Sequence, residues 1–275
     1  MRHESSSLES AVHVRTGTEL KTAVDNAPPD KSVVIALDKD ITLTETLTIP
    51  NNKDITLTSN KKAGFFKLIG ARHENTIVVY NGGVLRLDGI AVTHANDGGI
   101  GSGVIVNVDG TLIMTSGEIS GNKAYAGGGV RNNGNFTMLG GKIWGNYVYT
   151  YPSSRGSGGG GLGGGVVNSG TFTMSGGTIS GNTARIGGGV YNWGTFKISG
   201  GIISGNRANT GSGVYNMSGT FNWRGGIIFG NIGYFINMWI IVILVYIVVG
   251  YHLMLYLKKK IKTRKGSTFS VDGHR

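Results

Sequence analysis

Apolar and polar residues alternate along much of the chain with the two-residue period of a β-strand. In residues 32–94, β-branched stretches such as SVVIAL and NTIVVY are separated by Asp, Asn, Gly and Lys turn residues. No helical stretch separates them, which excludes an alternating βαβ architecture. Residues 16–27 differ, because an apolar face and the capping-box spacing of Thr16 and Glu19 predict a short helix that two prolines end.

A 24-residue unit, clearest in residues 187–210, repeats through residues 127–231. A repeat of this length indicates a solenoid, in which each unit buries its apolar face against the next. The unit holds three short strands (GVYN, TFKIS and GIIS) with glycine-rich turns between them, which predicts a parallel β-helix. Glycine accounts for 49 of the 275 residues, and its fixed repeat positions indicate turns.

Equivalent positions of the repeat form columns of one residue type, which we expect to stack inside the coils as ladders. Inward asparagines at turns can bond backbone groups and their own copies in the neighbouring coils. An alternative use of the asparagines is a ligand-binding row. The columns are the valines Val130, Val166, Val190 and Val214; the phenylalanines Phe136, Phe172, Phe196 and Phe221; the isoleucines Ile143, Ile179, Ile203 and Ile228; and the asparagines Asn132, Asn168, Asn192 and Asn216, with Asn122, Asn146, Asn182, Asn206 and Asn231.

The motif GGGVYNxGTFxMSGGxISGNxA resembles the repeats of right-handed parallel β-helix surface proteins, adhesin-like members of the pectate-lyase-like superfamily. The opening stretch TELKTAVDNAPPDKSVVIALDKDITL is similar to the start of such domains. The resemblance implies an all-β, right-handed parallel β-helix over residues 32–231. We count about eight rungs, or a rod core of about 40 Å. A capping helix and turn (residues 16–31) follow a disordered polar N-terminus (residues 1–15).

Residues 234–257 are apolar and carry no formal charge, and the basic stretch KKKIKTRK follows them. At 1.5 Å per residue they predict a transmembrane helix, with residues 258–275 as a cytoplasmic tail and the β-helix outside the cell. A buried helix that caps the rod is the alternative. The tail holds more than half of the net charge of +11, so the charge does not indicate nucleic-acid binding. We find no signal peptide before residue 12, and we therefore expect an incomplete reading frame.

The sequence offers little for catalysis. It has no cysteine, its six histidines lack metal-ligand spacing, and no Asp or Glu occurs between Ile119 and Val271, so we predict no metal, cofactor or catalytic residues. The remaining candidates for a calcium site or an acid pair are Asp88, Asp97 and Asp109, of which Asp88 and Asp109 could share a face. A polysaccharide lyase or glycoside hydrolase that uses them is the alternative function.

A twelve-residue insertion after Asn146 breaks the repeat and adds four candidate ligand-binding residues, Tyr147, Tyr149, Tyr151 and Arg155. Protruding loops of solenoids often carry function, and exposed tyrosines can stack on sugar rings or enter a protein contact. The alternative is an insertion that packs on the side of the rod. We therefore predict a membrane-anchored surface protein for adhesion to a glycan or a host or cell-surface protein. A passive cell-envelope element is a further alternative.

Overall fold

The fold was analysed in a computed structural model, which describes residues 11–61, 63–95, 99–150 and 160–233. The chain divides into two units, residues 1–233 and residues 234–275, and the fold described here is that of the first. The predicted transmembrane helix and the tail lie outside the described residues. Within the described residues, no helix has the length and apolar character needed to cross a membrane.

The described part of the first unit contains one helix, α1 (Gly17–Asn26), and many short strands. Turns end the strands after a few residues because glycines and asparagines recur at the coil corners. In chain order the strands are β1 (Val12–Val14), β2 (Ser32–Leu37), β3 (Ile41–Thr42), β4 (Leu47–Ile49), β5 (Asp54–Ser59), β6 (Lys67–Gly70), β7 (Ile77–Val79), β8 (Val84–Asp88), β9 (Ala91–His94), β10 (Val104–Val106), β11 (Thr111–Met114), β12 (Glu118–Ser120), β13 (Lys123–Ala124), β14 (Val130–Asn132), β15 (Asn135–Met138), β16 (Lys142–Trp144), β17 (Tyr147–Val148), β18 (Val166–Asn168), β19 (Thr171–Met174), β20 (Thr178–Ser180), β21 (Val190–Asn192), β22 (Thr195–Ser204), β23 (Arg207–Ala208), β24 (Val214–Asn216), β25 (Thr220–Phe229) and β26 (Ile232–Gly233).

The strands pair in parallel, coil on coil, and form three walls around one core. Wall A stacks β1, β2, β5, β8, β11, β15, β19 and the first parts of β22 and β25. Wall B stacks β3, β6, β9, β12, β16, β20 and the last parts of β22 and β25. Wall C stacks β4, β7, β10, β14, β18, β21 and β24, and the short strands β13, β17, β23 and β26 pair at the corner between walls B and C. The predicted parallel β-solenoid of about eight turns is confirmed.

Inward side chains of the three walls fill the core with aligned columns. In the later coils, Phe136, Phe172 and Phe196 are buried and stack with ring centroids 4.5 and 4.6 Å apart. Phe221 continues the stack at 5.3 Å but is only half-buried, because it lies in the last described coil. The centroid spacing matches the distance between parallel strands, so one ring fits per coil.

Two asparagine ladders lie at the corners of the coils. In the first ladder, each Nδ2 donates to the Oδ1 of the asparagine in the next coil. The distances are 2.7 Å from Asn132 to Asn168, 2.7 Å from Asn168 to Asn192 and 2.6 Å from Asn192 to Asn216. The Oδ1 atom of Asn132 has no partner in the described structure, because wall C places Val106 in the coil before it.

The second asparagine ladder bonds both side chain and backbone. The Nδ2 groups of Asn122, Asn146 and Asn182 each donate to the next Oδ1 at 2.9 Å, and Asn206 donates to Asn231 at 3.0 Å. Each Oδ1 also accepts the backbone N–H of the preceding asparagine at 3.0 Å. These bonds satisfy polar groups that would otherwise be buried without partners.

Helix α1 covers the N-terminal end of the core. Thr16 caps it by accepting the N–H of Glu19 at 3.1 Å, and Leu20 and Val24 are buried against the first coils. The prediction that residues 1–15 are disordered is wrong for Val12–Val14, which form β1 and pair with β2. The physical reason is that Val12 and Val14 lie on the same face of the strand, opposite His13, and Val14 enters the core beside Leu37.

Candidate binding face

Three tyrosines project from the corner between walls B and C. Tyr147 and Tyr149 lie two residues apart on and after β17, so their rings share one side and meet edge to face at 4.9 Å. Tyr125 occupies the position of Tyr149 one coil earlier, and its ring centroid lies 6.3 Å from that of Tyr149. Tyr147 is 41% exposed, and the other two are half-buried. We call these three residues the tyrosine ridge.

The structure therefore brings together two of the four predicted binding residues, Tyr147 and Tyr149. Tyr151 and Arg155 lie in the insertion, outside the described residues. The two described residues that flank residues 151–159, Thr150 and Gly160, form an antiparallel bridge with each other. The ridge thus stands directly beside the point where the insertion leaves the solenoid.

An open groove of about 720 Å³ adjoins the ridge on the side of wall C. Tyr125 lines one edge and Arg131, an outward residue of β14, lines another. The floor is held by polar bonds, since Ser102 N donates to Asn75 Oδ1 at 3.0 Å and Ser102 Oγ donates to the carbonyl of Ala126 at 3.3 Å. His73 completes the polar lining. The groove thus combines an aromatic ring, a cation and hydrogen-bonding groups at an open surface.

A second aromatic group lies further along the same wall. Tyr191 and Tyr215 are stacked at 5.5 Å, and Trp193 meets Tyr191 edge to face at 4.9 Å. Burial raises the pKa of the Tyr191 hydroxyl, Tyr215 raises it further, and Arg185 lowers it. Trp193 is 45% exposed, so its ring is available to a ligand. We call Tyr191, Trp193 and Tyr215 the aromatic shelf.

Groove and shelf share one outward column of wall C. Strand register aligns Ile105 and Arg131, which line the groove, with Val167, Tyr191 and Tyr215 in successive coils. Four coil steps of about 4.8 Å give this binding face a length of about 19 Å. Val167 and Tyr191, in the middle of the column, are buried, so the accessible groups are Arg131 at the groove and Trp193 and Tyr215 at the shelf. Only an extended ligand could reach both ends.

Comparisons with protein-family models, with curated proteins and with solved structures found no match for this chain. The resemblance to adhesin-like β-helix proteins therefore rests on the repeat motif alone.

The two described acids of the catalytic alternative lie far apart. Asp88 ends β8, where its carboxylate accepts hydrogen bonds from Ser116 Oγ (2.7 Å) and Thr115 Oγ1 (3.2 Å). Asp109 lies in the turn before β11, where its carbonyl accepts the N–H of Gly82. Gly82 lies before β8 and Asp88 ends it, so the two acids lie at opposite ends of neighbouring strands of wall A rather than side by side.

Asp97, the third acid of that alternative, lies outside the described residues. Within the described ranges, no group of three or more histidines or acids could hold a metal ion.

Sequence reasoning missed Tyr125, Arg131, Arg185 and the aromatic shelf. A signal existed, because the turns GNKAYA, GNYVYT and GNTARI align on their asparagines and place Tyr125, Tyr149 and Arg185 in one column. The shelf could have been found from GVYNWG, since the residue between the inward valine and asparagine must point outward in a strand.

Proposed function

We propose that this protein is a membrane-anchored surface protein that mediates adhesion by binding a glycan, or a protein that carries one, without catalysis. The observation that carries the proposal is the aromatic and cationic lining of the lateral groove, where Tyr125 and Arg131 flank hydrogen-bonding groups. Clefts with a few placed polar groups and exposed aromatic rings are the common form of ligand sites.

The chemistry of the binding face suits sugar rings. Exposed tyrosine and tryptophan rings offer flat apolar surfaces with little conformational entropy to lose, and their hydroxyl and indole groups can hydrogen-bond. The tyrosine ridge and the aromatic shelf would hold successive units of an extended chain. Arg131 and Arg185 would bond hydroxyl or acidic substituents.

Two further parts of the proposal rest on the sequence. Residues 234–257 would anchor the protein in the membrane, because they are apolar, uncharged and followed by a basic stretch. The coils would wind right-handed, as connections between parallel strands nearly always do. Both features agree with the resemblance to adhesin-like members of the pectate-lyase-like superfamily.

Binding of the full-length protein in detergent micelles to a glycan array tests the proposal. We expect one family of glycans to bind, and Tyr149→Ala to weaken that binding by about tenfold or more, because it removes the central ring of the ridge. Trp144→Ala is the matched control, since Trp144 is an exposed aromatic residue on wall B. A flat array, or equal losses in the two variants, would contradict the proposal.

A further inference from the structure

The last described coil exposes more large apolar side chains than the earlier described coils. Five of its side chains are large, apolar and exposed: Met217 (57%), Trp223 (56%), Ile227 (56%), Phe229 (58%) and Ile232 (37%). We call these five residues the apolar collar.

Three collar residues stand in outward columns that hold mostly polar residues in earlier coils. The register of wall B shows that Ile227 follows Lys142, Thr178 and Ile202, and that Phe229 follows Trp144, Ser180 and Ser204. At the corner between walls B and C, Ile232 follows Tyr147, Thr183 and Arg207. Trp223 ends an inward column of Met174 and Ile198, where its ring lies over the core beside Phe221 at 6.4 Å. Only in the last described coil are all three of these outward positions apolar.

We propose that this coil rests on the surface of a lipid bilayer, with the apolar collar at the depth of the headgroups. The inference rests on the anchoring part of the proposed function. Gly233, the last residue of β26, directly precedes the apolar residues 234–257, so the anchor would hold this coil within about one residue of the membrane.

Depth and charge favour a lipid surface over a second copy of the chain. One coil is about 4.8 Å thick, which is close to the 5–10 Å that interfacial side chains reach into a bilayer. A second copy stacked on the coil would cover its edge but not the outward side chains of its perimeter, whereas a bilayer plane reaches all of them. Tryptophan prefers this interface.

The charge around the collar complements anionic headgroups. Arg207 and Arg224 are exposed in the last two coils, and no acid occurs between Ile119 and Val271. The backbone edge of β25 has no further strand to pair with in the described structure, and its polar groups can bond water and headgroups at this depth. The coil therefore lies at the interface rather than in the hydrocarbon.

Fluorescence quenching in vesicles tests the contact. The full-length protein is reconstituted into vesicles of phosphatidylcholine and phosphatidylglycerol whose acyl chains are brominated, using variants that each keep one tryptophan and carry phenylalanine at the others. We expect quenching of Trp223. The matched control keeps Trp144, which lies three coils from Phe229 in the same column, and we expect no loss of its fluorescence.

The outcomes separate this inference from the proposed function. Quenching at Trp239 without quenching at Trp223 would overturn the inference and leave the anchor intact. No quenching at Trp239 or Trp223 would overturn the anchor as well. If Trp223 is shielded without lipid, and the shielding depends on protein concentration, the collar contacts a second copy of the chain. That result would overturn the lipid contact.

Discussion

The coils before and after Glu118 build the same fold with different chemistry. In the described chain, every ion pair lies before Glu118, and acids and bases alternate over that surface. Residues 119–233 hold no acid, and their coils are joined by the phenylalanine stack and the two asparagine ladders. The early coils neutralise their own charge, whereas the late coils keep a positive surface.

This difference shows how stability and binding are divided along one solenoid. The asparagine ladders and the phenylalanine stack are neutral and lie inside the late coils, so these coils are held together without charged pairs on the outside. The outward positions of the late coils can therefore hold ligand-binding residues, such as Arg131 and the aromatic shelf. The positive potential of this surface would attract an anionic or polar ligand. The following predictions test this division from the largest expected effect to the smallest.

Gly194→Ala should disrupt the late coils most. A Cβ at Gly194 would lie 2.0 Å from the carbonyl oxygen of Gly170 in the preceding coil, and a backbone atom cannot move aside without separating the coils. We expect loss of the cooperative unfolding transition of the late coils, measured by circular dichroism in urea.

Gly145→Ala is the control for that substitution. Gly145 has φ +63°, but a Cβ there meets nothing within 4 Å. The cost should be only the backbone strain, about 1–2 kcal/mol. Equal losses in the two variants would show that conformation, rather than close coil contact, requires these glycines.

Asn182→Ala should be the next most damaging change. It removes the acceptor for Asn146 N (3.0 Å) and Asn146 Nδ2 (2.9 Å) and the donor to Ile143 O (2.9 Å), and leaves buried groups without these partners. We expect a loss of about 3–5 kcal/mol in the free energy of unfolding. Asn209→Ala, at an exposed corner position, should change it by less than about 0.5 kcal/mol. Similar losses would argue against a stabilising ladder.

Asp54→Asn should cost far less in the early coils. Arg86 holds Asp54 with two hydrogen bonds of 3.0 Å, but both side chains are partly exposed, so the pair is worth about 1 kcal/mol or less. Added salt should shrink the difference between wild type and variant. Asp109→Asn, at an exposed turn, is the control. A loss as large as that of Asn182→Ala would remove the contrast between the two halves.

The smallest effect concerns acid stability. The hydrogen bond from His13 Nδ1 (2.7 Å) lowers the pKa of Asp38 most, Asn60 lowers it further, and burial opposes them. Because the folded pKa lies below the unfolded value, this stabilisation is present above about pH 4 and is lost as the pH falls through the folded pKa. In Asp38→Asn, the free energy of unfolding should fall less steeply below about pH 4 than in the wild type. The same pH dependence in both proteins would show that the lowered pKa of Asp38 does not contribute to acid stability.

The sequence predicted the solenoid because the repeat is strict. Phe136, Phe172, Phe196 and Phe221 recur in one column, and only coil-on-coil stacking can bury such a column. The early coils and β1 were harder to predict from the sequence. Leucine, isoleucine and valine replace each other freely in a core, so equivalent positions do not keep one residue type.

The binding face was only partly predictable. Tyr147 and Tyr149 stood out because the insertion breaks the repeat. Tyr125 and Arg131 lie six residues apart, whereas Asn75 and Ser102 come from earlier coils, and only the register of the strands brings them all to one groove. Periodicity fixes which residues face outward, but it gives no information on which outward residues lie around a corner from each other.

Hydrogen exchange with the best-binding glycan of the array most directly tests the claim that the ligand binds along wall C and its corner, from the groove, whose floor lies in the coils before Glu118, to the late coils. With ligand, we predict slower exchange in peptides covering residues 123–131, 147–150 and 185–193. Exchange on wall B, at residues 142–144, should not change. Protection confined to wall B or to the early coils before Glu118 would contradict the account.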